Sequence, residues 1–189
     1  MDKPKLATQV DAVLGILGRR TDWINRMNEA RVDYVVWFLA IAAAGLSVTV
    51  THSKEVIEAS LVADALSVRE SKSLLVVAAL LFIVSAMFGL GARSRIMNVT
   101  DQNINVRKFH EFQSVRVEVG DSVVPAAVSA DELLKLVQRG AFLSDSDKQE
   151  LATLRRQQDA LAKSVLSNMA AQVLLSFGGF AVVFVVALL

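Results

Sequence analysis

Asn168, Gln172 and Ser176 recur every fourth residue in a stretch that is otherwise apolar, so on a helix they form one polar stripe. In lipid, such side chains do one of two jobs. They hydrogen-bond to a neighbouring helix and fix its packing, or, where several chains gather, they line a narrow pore. Both readings are open from the residues alone. Other chemistry-bearing residues are sparse. The run from Asp101 through Asn103 to Asn105 begins like a calcium loop, but Val106 holds the glycine position and Phe112 the closing glutamate position, so no cation is expected there. His52 and His110 fall on opposite expected sides of a membrane and cannot share a metal, and His110 beside Glu111 reads as an exposed surface pair. The chain has no cysteine, which excludes disulfides, thiolate metal sites and a cysteine nucleophile. It also has no phosphate-binding glycine loop, nucleophile elbow or HExxH. Neither catalytic residues nor a cofactor or metal site is expected.

The elements that carry the polar stripe are apolar and long. Leu74 to Ala92 is nineteen residues without an ionisable side chain, Tyr34 to Val50 is seventeen, and Ala170 to Leu189 is twenty. At about 1.5 Å per residue, each covers roughly the 30 Å hydrocarbon thickness of a bilayer. A water-soluble core helix of that length would show a polar side, and none of these does. The expected fold is an all-α membrane protein with three transmembrane helices, long cytosolic helical extensions and a small β-hairpin. No span carries Asp, Glu, Lys, Arg or His, which argues against a proton-coupled transporter.

Four regions follow. Residues 1–33 read as an amphipathic helix, with Leu6, Val10, Val13, Leu14 and Leu17 on one face and Arg20 and Arg31 interrupting its continuation. That helix is expected to lie on the membrane surface or pack on its own chain. Residues 34–92 form a transmembrane hairpin whose loop, 51–73, holds a short interfacial helix. Residues 93–169 form a cytosolic module, and 170–189 the last span. Within the module, Val115, Val117 and Val119, then Gly120-Asp121, then Val123 and Val124 alternate as two strands around a tight turn would. Ser129 with Glu132 matches a capping box opening a helix that Gly140 ends, and Ser144 opens the next helix. Leu151, Leu154, Leu161 and Val165 then recur at coiled-coil spacing without a Pro or Gly before Gly178, so that helix is expected to run into the last span as one rod.

Small residues mark the packing faces. Ala40 with Ala44, Ala43 with Ser47, and Ser85 with Gly89 are small-xxx-small pairs that let backbones approach closely, and they are expected to meet, within one chain or between chains. Lysines and arginines cluster before the first span, after the second and before the third. The N-terminus and residues 93–169 are therefore expected in the cytoplasm and the C-terminus outside. The net charge of +1 gives no field for nucleic acid.

Leu133 to Leu161, a helix, a glycine turn and a charged second helix, resembles the short bacterial helical-hairpin oligomerisation modules called SHOCT. It differs in the longer spacing after Gly140 and in lacking an aromatic in the second helix. The two-span hairpin behind a leading helix is similar in layout to SLATT-type bacterial effectors. These likenesses, which assign no family, imply a bacterial inner membrane and function through assembly. The functional expectation is a non-enzymatic membrane protein that works as a homo-oligomer, as a pore-forming or membrane-disrupting effector would. The alternative is a scaffold or accessory subunit recruiting a cytosolic partner through residues 97–168.

Overall fold

The computed structural model describes residues 3–62, 67–119 and 129–188. These form five helices, α1 Lys3–Thr51, α2 Ser53–Val62, α3 Val68–Val119, α4 Ala130–Arg139 and α5 Asp145–Leu188. Three of them, α1, α3 and α5, contain stretches long and apolar enough to cross a membrane. No strand occurs among the described residues. The expected hairpin is therefore corrected in its first half: Val115, Val117 and Val119 lie in the last turns of α3, while its turn and second strand fall outside the described residues. Period-two valines favour strand only where a partner strand exists. Here a helix of 52 residues arrives already formed, and continuing it adds one hydrogen bond per residue. The helical register also drives Val117 into a hydrophobic core.

The chain divides into two compact units, residues 1–29 with 97–162, and residues 30–96 with 163–189. In the first, Val10, Val13 and Leu17 of α1 pack with Val117 of α3 and Leu133 and Val137 of α4, all at most 5% exposed. From Val10 to Leu17 the apolar seam read at the N-terminus is thus covered by its own chain. Gln113 Nε2 reaches across to the carbonyl of Val137 at 3.0 Å. Around α4 the local signals act together. The Ser129 side chain accepts from the Glu132 N–H, Glu132 accepts from the Ser129 N–H, and Gly140 closes the helix in the left-handed region at φ 77°. Ser144 Oγ accepts from the Asp147 N–H at 3.2 Å, and α5 runs unbroken to Leu188.

The second unit is apolar on its outside and holds a polar cluster within an apolar interior. Its interior holds Ser85, Gln172 and Ser176, each at most 1% exposed, whereas Trp37 and Leu174 are more than 70% exposed. Apolar side chains outside and polar ones inside suit a solvent of hydrocarbon, where a polar group without a protein partner is costly. Two layers hold the helices together. Val35, Ala92, Ile96 and Val165 form one and Ala42, Ala78 and Phe82 the other. The Phe82 ring fills the space that side chains on Gly45 and Gly179 would take, and it meets Phe180 edge-on at 4.9 Å.

Candidate functional site

Asn168, Gln172 and Ser176 all lie buried in the second unit, on the side of α5 that faces α3. They sit over the smallest residues of α3. A side chain on Gly91 would come within 3.0 Å of Asn168 Nδ2, and one on Gly89 within 2.8 Å of Gln172 Cδ. Ser85 Oγ lies 2.7 Å from both the Gln172 carbonyl and Ser176 Oγ. Gln172 Nε2 donates to the carbonyl of Val35 in α1 at 3.2 Å. The small pair Ser85 and Gly89 thus makes room for the polar stripe. It does not meet the small residues of α1: Ala40, Ala43, Ala44 and Ser47 are exposed, and α1 packs instead through Val35, Ala42 and Gly45. Beyond the larger residues on that face, backbone approach is set by where Phe82 and Gln172 must fit.

A second constellation lies in the first unit. Leu17, Arg20, Thr21 and Ile24 of α1, Asn103, Val106, Arg107 and His110 of α3, Lys135, Gln138 and Arg139 of α4, and Arg155 and Gln158 of α5 enclose a cleft of about 510 Å³. Helical spacing explains the contributors: Arg20 and Ile24, Asn103 and Arg107, and Lys135 and Arg139 are each one turn apart and share a face. Five cations line the cleft and no carboxylate does. This is a local concentration, because residues 1–29 and 97–162 together hold 13 Lys and Arg against 14 Asp and Glu.

Several groups in the cleft are held in place. Arg107 Nε pairs with Glu111 Oε1 at 2.6 Å. Arg155 donates to the Gln138 carbonyl at the end of α4 and, at 3.3 Å, to His110 Nε2. Because a guanidinium only donates, that bond assigns His110 the neutral tautomer with its proton on Nδ1. Burial, with the charges of Arg155 and Arg20 adding, lowers the His110 pKa from 6.5 to about 4. His110 lies eighteen residues beyond Ala92, outside the uncharged run. The expected exposed pair with Glu111 is corrected: His110 is 9% exposed and faces Arg155, and Glu111 is engaged by Arg107. Asn103, 7% exposed, accepts from Gln158 through Oδ1, and its Nδ2 has no partner among the described residues. Arg20, Lys135 and Arg139 form no ion pair among the described residues.

The run from Asp101 to Phe112 is continuous helix, which leaves no loop to wrap a cation, and no metal-ligating group is found among the described residues. Sequence reasoning did not find the cleft. Its one local trace was Arg20, a charge standing in the apolar seam of α1 where a hydrophobic residue would continue the face. No family model, curated protein sequence or solved structure matches the chain.

Proposed function

We propose that the chain is a non-enzymatic integral membrane protein whose three spans anchor a module that recruits a partner through residues 97–168, as a scaffold or accessory subunit does. The module faces the cytoplasm, on the placement of lysines and arginines around the spans, and the likeness to bacterial helical modules is what supports a bacterial inner membrane as the setting. The observation that carries the reading is how the polar stripe is occupied. Ser85 contacts the Gln172 carbonyl and Ser176, and Gln172 reaches Val35, all within one chain. A pore lining needs those groups turned to water, whereas here each lies buried.

A second reading, assembly into a homo-oligomer that opens a pore or disrupts the membrane, is favoured by one feature. Ala40, Ala43, Ala44 and Ser47 form an exposed small-residue face on the first span, the kind of surface across which helices associate in lipid. Liposome ion flux separates the two readings. The anchor reading expects no flux from wild type. Flux that vanishes in Gln172→Leu while assembly persists would overturn it in favour of the pore. Because the chain lacks cysteine, Ala43→Cys gives a clean cross-link for the oligomer in membranes.

A further inference from the structure

We propose that the cleft between α1, α3, α4 and α5 of the first unit binds a small anion carrying clustered phosphate groups. The inference stands apart from whether the chain anchors a partner or self-assembles.

The first argument is electrostatic. Arg20, Arg107, Lys135, Arg139 and Arg155 come from four helices and converge on one space that no carboxylate lines, with Glu111 paired to Arg107 and Glu132 acting on Lys135 from outside the lining. Like charges gathered this closely repel, and a purely structural role would pair them. Three of them have no ion pair among the described residues. Electrostatic repulsion of that kind is relieved by a bound anion of more than one charge.

A second, independent observation comes from the cleft wall. Asn103 lines the cleft with an amide donor that is buried and has no partner among the described residues, while its oxygen accepts from Gln158. A buried N–H without an acceptor is unfavourable, and this one lies in the wall of the same cleft.

The lining also selects the chemistry. Arginine forks match phosphate oxygens two at a time, and Arg155 is oriented in advance by the Gln138 carbonyl and His110. No Phe, Tyr or Trp lines the cleft, and its apolar walls are only Leu17, Ile24 and Val106, so a lining of five cations suits phosphates better than a nucleobase. Recognition is through the phosphates. About 510 Å³ holds a small molecule of that kind. Two sources present the same chemistry, a soluble polyphosphorylated compound and a lipid headgroup with two phosphates.

The test uses the full chain in nanodiscs of zwitterionic lipid, with inorganic pyrophosphate as the probe by titration calorimetry. Wild type is expected to bind with an affinity that falls as salt rises. Lys135→Gln combined with Arg139→Gln changes two exposed residues without ion pairs, and it should weaken binding at least about tenfold with an unchanged unfolding midpoint. Lys148→Gln, outside the cleft, should change nothing. In a parallel arm, nanodiscs containing cardiolipin ask whether that lipid displaces pyrophosphate from wild type and is retained less by the double variant. Pyrophosphate binding without displacement indicates the soluble source, and displacement indicates the headgroup. Absence of both binding and retention, or a double variant indistinguishable from wild type, overturns the proposal.

Discussion

Gln172 of α5 donates from Nε2 to the carbonyl of Val35 in α1 at 3.2 Å, while its Oε1, equally buried, has no partner among the described residues. The side chain is half satisfied. The Val35 carbonyl lies inside α1, where the helical ladder also serves it, and single hydrogen bonds between membrane helices average about 0.6 kcal/mol. Gln172→Met should therefore shift stability in detergent by less than about 1 kcal/mol. Ser85→Ala removes the contacts to the Gln172 carbonyl and to Ser176 together. It should cost about 1–2 kcal/mol, within the upper range for such bonds. Denaturant titration in mixed micelles orders the two; a Gln172→Met cost larger than that of Ser85→Ala would contradict this account.

Phe82 occupies room left by two missing side chains. A side chain on Gly45 would lie 2.9 Å or less from three ring carbons, and one on Gly179 would come within 2.8 Å. The ring is 1% exposed and braced by Phe180, so it cannot swing aside. Gly45→Ala should destabilise by about 1–3 kcal/mol, the usual cost of overpacking. Combining it with Phe82→Leu should recover part of that loss, a coupling that a double-mutant cycle measures directly. Additive losses would mean that the ring and Gly45 do not compete for space.

The elements were legible where a local cause sets them. Uncharged runs gave the three apolar helices, Ser129 with Glu132 gave the start of α4, and Gly140 gave its end, because caps and hydropathy act over a few residues. Val115, Val117 and Val119 were misread because alternation says nothing about whether a partner strand exists. Which side of α1 packs within the chain was illegible for a related reason. Ala40 and Ala43 look like contact residues by size, but the contact is decided by the partner, and Phe82 of α3 selects Gly45. The cleft was illegible because Arg20, Arg107, Lys135, Arg139 and Arg155 converge only after four helices have packed.

The wall of the cleft formed by α4 depends on its caps. Ser129→Ala removes the acceptor for the Glu132 N–H and should cost about 1 kcal/mol. Gly140→Ala forces a side chain into φ 77° and should cost a similar amount. Both substitutions lie away from the cleft lining, yet they loosen the helix that holds Lys135, Gln138 and Arg139. Hydrogen exchange should show faster opening of residues 130–139 in each variant. Unchanged exchange would mean that packing of Leu133 and Val137 alone holds α4.

His110 should make the first unit sensitive to mild acid. Its pKa is lowered from 6.5 to about 4 by burial and by Arg155 and Arg20, and Arg107, Lys135 and Arg139 line the same cleft. Above about pH 6.5 the imidazole is neutral in both folded and unfolded chains and contributes no pH dependence. As pH falls below that value the unfolded chain takes up a proton that the folded one refuses, so stability declines until about pH 4. The full loss is on the order of 3 kcal/mol. Glu132, held below the usual carboxylate range by the backbone and side chain of Ser129, keeps its charge until lower pH. Between pH 7 and 5 His110 therefore contributes a slope that Glu132 does not. His110→Gln keeps an acceptor for Arg155 but cannot titrate, and it should flatten that slope while leaving the pH 7.5 midpoint within about 1 kcal/mol of wild type. Thermal unfolding followed by helical circular dichroism at several pH values reads both quantities, and an undiminished slope in His110→Gln would place the titrating group elsewhere.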